Sequence, residues 1–269
     1  MSAGRSQCVP VEHTAEFRFY AELNDFLPPA RRRRTFVQVF QGTPAVRDLI
    51  ESLGVPHTEV DLILIDGRSA RFAHRLEGQE RVAVYPMFER FDIRPLHRLR
   101  PQPLRRTRFV ADVHLGKLAR RLRLLGFDTL YARDYTDAML VGLSARERRI
   151  LLTRDVGLLK HSEVVRGHWL RSTDPAAQLL EVIEAFSLER DIDAFTRCTI
   201  CNGALQSIAR EAVAGRVPPR VYARRRRFDQ CTGCGRIYWR GTHFRKLEEL
   251  SRAYRRGRGW RGRRRQEAD

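Results

Sequence analysis

Four of the five cysteines of this 269-residue chain stand in two matched pairs, Cys198-Thr-Ile-Cys201 and Cys231-Thr-Gly-Cys234, in its last third. No other feature restricts the fold as strongly. Two residues between cysteines let both thiolates of one turn reach the same ion at Zn–S distances of about 2.3 Å, and two such turns close a tetrahedral site. Asn202-Gly203 follows the first pair and Gly235 the second, so the turns match beyond the cysteines themselves. The spacing predicts one structural Zn2+ held by Cys198, Cys201, Cys231 and Cys234 rather than disulfides, since nothing in the chain points to an oxidising compartment. A closed four-thiolate site has no open position for water, so the chemistry has to lie elsewhere.

Charge says what kind of molecule the chain meets. Lys and Arg total 51 against 32 Asp and Glu, a net +19. The excess is mostly arginine, which pairs with phosphate through two parallel hydrogen bonds. Clusters fall at Arg31 to Arg34, Arg105-Arg106-x-Arg108 and Arg224 to Arg227, with eight more arginines between Arg252 and Arg265. Clustering predicts a nucleic-acid partner, and Arg120, Arg121, Arg224, Arg225, Arg226 and Arg227 are the candidate contacts. No stretch approaches the ~20 apolar residues of a spanning helix, and no basic segment carries an apolar face, so no membrane is expected. Met1 to Pro10 lacks the apolar core of a signal peptide, which predicts a cytoplasmic protein with reduced thiols. Cys8 is then an unpaired thiol with no assigned role.

Residues 14–94 read as a β-grasp unit. Phe17 to Tyr20 and Thr35 to Phe40 have strand patterns, and Thr43-Pro44 opens a helix with Thr43 as N-cap. Val46, Leu49, Ile50 and Leu53 give its apolar stripe, and Gly54 ends it. Strands follow at Leu62 to Ile65, Ala70 to Phe72 and Arg81 to Tyr85. Residues 95–106, rich in proline and arginine, read as a linker.

Residues 107–190 alternate strands and helices, which predicts an α/β unit with a parallel sheet and a ligand site at the strands' carboxyl ends. Arg108 to Ala111 is a strand delivering Asp112. Leu115, Leu118, Ala119, Leu122 and Leu125 then share one helix face, with Lys117, Arg120, Arg121 and Arg123 on the other and Gly126 as the stop. A strand at Thr129 to Ala132 leads to Asp134, Thr136 caps a helix starting at Asp137, and Ile150 to Thr153 delivers Asp155. A third strand near Trp169-Leu170 precedes a helix opened by Asp174-Pro175, with Leu179, Leu180, Ile183 and Phe186 inward. Asp112, Asp155, Asp137 and Asp134 could converge on one rim, where carboxylates repel unless Mg2+ or Mn2+ sits among them. The same acids also suit helix N-caps and turns. Residues 191–250 form the cysteine unit, and 251–269 an arginine-rich tail expected to order on RNA. Tyr238 is expected in the small core of that unit, while Trp239 suits either core or base stacking.

Several segments resemble known families. Phe17-Arg-Phe-Tyr-Ala-Glu-Leu, Leu53-Gly-Val-Pro-His and Val84-Tyr-Pro-Met-Phe are similar to the ubiquitin-like domain that precedes one RNase family, itself similar to sulfur carriers. A sulfur carrier needs a free terminal diglycine, which this segment lacks as it runs on through Phe91 to Pro95, so a scaffold role or docking of a protein partner is expected. Val110-Ala-Asp-Val-His-Leu-Gly-Lys-Leu-Ala-Arg-Arg-Leu-Arg-Leu-Leu-Gly-Phe-Asp128, Leu151-Leu-Thr-Arg-Asp155, the cysteine pairs and Tyr238-Trp-Arg-Gly-Thr-His243 resemble the Mut-seven carboxyl-terminal RNase domain. That resemblance implies a PIN-like nuclease fold fused to a zinc ribbon. It places Asp112 and Asp155 as acids holding Mg2+ or Mn2+, and Asp137 as the middle acid with Asp134 in reserve. No fourth acid closely follows Asp155, Glu163 being the nearest. The expected function is a metal-dependent ribonuclease acting on RNA, whether structured RNA or the ribosome. The alternative is a non-catalytic RNA- or ribosome-binding factor with a degenerate acidic site. A DNA-binding regulator is disfavoured because no helix-turn-helix signature stands out.

Overall fold

Ala15, Phe17 and Phe19 alternate with polar neighbours, and this period of two makes β1 (Glu12–Phe19), whose inward side chains are almost fully buried. The computed structural model describes residues 12–86 and 107–239. After β1 come β2 (Phe36–Gln41), α1 (Val46–Ser52), β3 (Val60–Ile65), the two-residue β4 (Arg68–Ser69) and β5 (Arg81–Pro86). The sheet order is β2-β1-β5-β3-β4, with β1 and β5 parallel and the other pairs antiparallel. Val46, Leu49 and Ile50 of α1 pack with the three inward residues of β1 in one core. This is the β-grasp arrangement expected from the order of elements.

Two local expectations change. Thr43 does not cap α1; the cap position is Ala45, and no side chain serves it. The first helical N–H groups instead donate to the backbone, Val46 to His74 O at 2.8 Å and Arg47 to Phe72 O at 3.3 Å. The segment expected as a strand at Ala70 to Phe72 is thereby drawn across the helix start, which leaves only β4 as strand. Asp66 and Gly67, both at positive φ (48° and 78°), make the tight turn that pairs Ile65 with Arg68.

Compactness divides the described residues into two units: 12–86 together with Asp155–Trp169, and 107–154 together with 170–239. In the second unit β6 (Arg108–Ala111), α2 (Gly116–Leu124), β7 (Asp128–Leu130), α3 (Asp137–Glu147) and β8 (Ile150–Thr153) alternate as the sequence predicts. β7, β6 and β8 lie side by side in that order, and both pairings are parallel. Leu115, Leu118, Ala119, Leu122 and Leu125 are all at most 1% exposed. Thr136 caps α3 by accepting from the Met139 N–H at 3.3 Å. The strand expected over Thr129 to Ala132 begins and ends earlier, at Asp128–Leu130.

The segment Asp155–Trp169, carrying α4 (Val156–Leu159) and β9 (Gly167–Trp169), groups with the β-grasp residues. His57 Nε2 lies 2.9 Å from Val164 O, the Thr58 hydroxyl donates to Leu159 O at 3.1 Å, and Lys160 Nζ donates to Glu51 O at 3.0 Å. The chain then returns to the second unit through α5 (Pro175–Ala185), capped by Asp174 with hydrogen bonds from the N–H groups of Ala176 and Ala177.

The cysteine region follows as β10 (Leu205–Ile208), α6 (Pro219–Arg224), β11 (Phe228–Cys231) and β12 (Ile237–Trp239), with the three strands antiparallel. Its apolar core is small: Val213, Val217 and Phe228, with Ile237 and Trp239 packed against them. Tyr238, expected there, alternates to the other face of β12. The linker at 95–106, Cys8, His243 and the tail from 251 lie outside the described residues.

Candidate active site and metal centre

At the carboxyl end of β6, Asp112 is 7% exposed and its carboxylate is held from two sides. The Thr153 hydroxyl, from the end of neighbouring β8, donates to Oδ2 at 2.7 Å, and the His114 N–H donates to Oδ1 at 3.2 Å. The parallel register that sets Ala111 against Leu152 places both strand ends together, and Asp112 N donates to Leu152 O at 3.0 Å. A buried carboxylate fixed by two donors is oriented before any ligand arrives. Each of its oxygens retains a lone pair for a further partner.

The two residues that follow Asp112, Val113 and His114, line a cavity of about 460 Å3 that Asp112 itself does not line. Lys117, Arg120, Arg133 and Arg154 line it, and no Asp or Glu does. Tyr131 forms a wall, its hydroxyl donating to Val113 O at 3.1 Å. Gly116 is required for this: a methyl there would stand 2.5 Å from Tyr131 Oη and 2.7 Å from Cζ.

The other three acids are placed differently. Asp134 and Asp137 are exposed, Asp137 in the first turn of α3. Asp155 is exposed, caps α4 by accepting from Gly157 N–H at 2.7 Å, and opens the segment that groups with the first unit.

The cysteines form the tightest cluster. Their four Sγ atoms lie within 4.8 Å of one another, with Cys201 to Cys231 at 3.3 Å and Cys198 to Cys234 at 3.6 Å. Tetrahedral Zn–S bonds of about 2.3 Å require S···S edges of about 3.8 Å. The two turns are built alike. Asn202 (φ 69°) donates its N–H to Cys198 O, and Gly235 (φ 69°) donates to Cys231 O, each at 3.0 Å. Cys198 and Cys231 in turn donate to Gly203 O and Arg236 O at 2.8 and 2.9 Å. Burial pushes the Cys198 thiol up, but hydrogen bonds from the Cys201 backbone and the Tyr238 hydroxyl outweigh it and bring it to about 6. Cys201 is pushed up to about 12, by burial first and then by the neighbouring thiols, against a hydrogen bond from the Gly203 backbone. Sulfurs this close resist ionising together, a repulsion that a divalent cation removes. The donor set and spacing therefore fit one Zn2+.

Two family models match the chain: one described as the Mut7-C RNAse domain, over residues 107–251, and one described as Mut7-C ubiquitin, over residues 12–92. The chain belongs to the Mut7-C RNAse domain family. No curated protein and no solved structure matches it.

In this Mut7-C RNAse domain the cysteine turn is tied to the parallel sheet by polar groups that sequence reasoning passed over. Arg123, expected on the solvent face of α2, is 3% exposed. Its guanidinium donates to Thr129 O at 2.8 Å and Ile200 O at 2.7 Å. Burial pulls its basicity down, whereas the charges of Cys198 and Cys201 pull it up. Asn202 accepts from the Thr129 N–H at 3.1 Å and donates to Asp128 Oδ1 at 2.8 Å. Arg149 donates to the same carboxylate oxygen at 2.7 Å. Burial opposes the Asp128 charge, but the hydrogen bonds from Arg149 and Asn202 prevail and hold its carboxyl below the ordinary value.

Among the described residues the cysteines are the only group of three or more Cys, His, Asp or Glu side chains whose ligand atoms come within 4.8 Å of one another. A cage of three carboxylates around Asp112 is therefore absent from these residues. Mg2+ needs less, since it keeps several waters and binds through one or two carboxylates. Of the expected RNA contacts, Arg120 lines the cavity, Arg121 is half-buried on α2, Arg224, Arg226 and Arg227 are exposed, and Arg225 is half-buried. Trp239 packs on the Phe228 cluster. Lys117, Arg133, Arg154, Tyr131 and His114 were not among the expected site residues. Only their nearness in sequence to Asp112, Asp134 and Asp155 hinted at them.

Proposed function

We propose that this chain binds RNA and hydrolyses its phosphodiester bonds at the carboxyl edge of the β6–β8 sheet. What supports this most is one buried, pre-oriented carboxylate, Asp112, whose next two residues line a cavity together with Lys117, Arg120, Arg133 and Arg154. The cations draw the RNA backbone in and hold phosphate oxygens, while Thr153 and the His114 N–H keep Asp112 from turning away. Asp112 and Asp155 would hold Mg2+ or Mn2+, with Asp137, or Asp134 in its place, completing the site. Such an ion supplies a hydroxide from bound water near neutral pH and neutralises charge on the scissile phosphate. Cys198, Cys201, Cys231 and Cys234 would hold Zn2+ in a structural role.

The test is cleavage of end-labelled RNAs of varied structure by wild type and Asp112→Asn, with Mg2+ or Mn2+. Loss of a metal ligand should lower the rate by more than about a hundredfold, the upper range for mere outer-shell partners, while RNA affinity holds or rises. A second reading, an RNA- or ribosome-binding factor without catalysis, is favoured by the exposed, scattered positions of Asp134 and Asp137. Tight RNA binding by wild type with no cleavage under any divalent ion would select it.

A further inference from the structure

The cavity beside Asp112 has more positive charge than one internal phosphodiester calls for. Lys117, Arg120 and Arg133 form no ion pair among the described residues, and Arg154 adds a fourth cation. The amino-terminal residues of two helices also line it: Gly116, Lys117 and Leu118 of α2, and Pro175 and Gln178 of α5. Asp112 accepts from the His114 N–H in the turn that leads into α2 and Asp174 caps α5, so the positive charge of the lining comes from its side chains. At about 460 Å3 the cavity has the volume of a site for one small ligand. Tyr131, Leu118 and Pro175 supply apolar lining, and Tyr131 is fixed by its hydroxyl bond to Val113 O and its close approach to Gly116.

Resting on the RNA reading above, we infer that this cavity takes the terminal nucleotide of a single-stranded RNA, with its phosphomonoester among Lys117, Arg120, Arg133 and Arg154. A terminal phosphomonoester carries a charge of about −1.5 to −2 at neutral pH, against −1 for an internal diester. The acid-free lining, with its four cationic side chains, suits the greater charge. Tyr131 offers a ring edge or face to the terminal base, which only an unpaired end can bring into a pocket.

The experiment uses the full chain without added Mg2+ or Mn2+ and three RNA decamers of one unpaired sequence: 5′-phosphorylated, 3′-phosphorylated, and hydroxyl at both ends. Fluorescence anisotropy should show one phosphorylated form binding about tenfold more tightly than the hydroxyl form, as expected for one extra charge against several cations. The form preferred identifies the end recognised. Lys117→Gln combined with Arg133→Gln, both exposed positions whose folding is checked by circular dichroism, should bring that ratio close to unity. Equal affinity for all three RNAs, or a preference that survives the double substitution, overturns the inference and leaves the RNA reading standing. Binding of none of them removes the RNA reading as well.

Discussion

Arg123 shows how one side chain can be written for one environment and used in another. It sits among Arg120, Arg121 and Lys117 in sequence, yet only it turns inward, because α2 ends where the carbonyls of Thr129, Tyr131, Thr199 and Ile200 converge on its planar fork. Arg123→Ala should cost about 3 kcal/mol or more, since several buried acceptors lose their donor. Arg123→Lys should recover little, because an ammonium cannot reproduce that fork. Thermal unfolding of the zinc-loaded protein measures both. Asp128 gives a prediction with a defined pH sign. Its carboxyl is held below the ordinary value, so its stabilisation is complete above the unfolded-state pKa of about 4 and disappears as pH falls through the lower folded value. Asp128→Asn should unfold at a lower temperature than wild type at pH 7, and the difference should vanish in strong acid.

At the scale of elements, the cysteine region is not a free-standing appendage to the sheet. Its core holds Val213, Val217 and Phe228, too little apolar area to fold without a further constraint. Zn2+ held by the four cysteines would supply that constraint within the region, and Asn202 and Arg123 connect it to β7. Stripping Zn2+ should therefore raise amide exchange in β10 to β12 and at Thr129, whose N–H is bonded to Asn202, before it does so in β8. Simultaneous loss of protection in β8 would mean that the sheet itself depends on the metal. Gly126 marks the same junction: at φ 96° its carbon carries no methyl that would fall on Asp193 O.

For the whole molecule, a net charge of +19 means that, on the proposed reading, affinity for RNA should depend on salt before it depends on sequence. Arg224, Arg226 and Arg227 are exposed on the cysteine region, apart from the cavity at Asp112. Replacing all three by alanine should flatten the plot of log affinity against log salt by about 2, from a slope of roughly 0.7 per single-strand phosphate contact. An unchanged slope would make them a solvated charge run and put the RNA path over Arg120 and Lys117. Among the described residues no helix is long and apolar enough to cross a membrane.

Local periodicity and spacing encode the features whose causes lie within a few residues. The inward faces of β1 and α2, the Thr136 and Asp174 caps, the delivery of Asp112 from β6 and the matched cysteine turns all depend on neighbours within a few residues. Tertiary structure decided whatever depends on partners distant in sequence. Arg123 is buried because carbonyls from residues 129 and 200 meet it, and Asn202 stands where a glycine would serve because its amide also bonds Thr129 and Asp128. The start of α1 is covered by backbone from residues 72 and 74 rather than by Thr43. Strand ends can be read from sequence, but which acids assemble depends on the loops after them. The residues after β6 and β7 hold Asp112 between Thr153 and His114, leave Asp134 and Asp137 in solvent, and line a cavity with cations rather than acids.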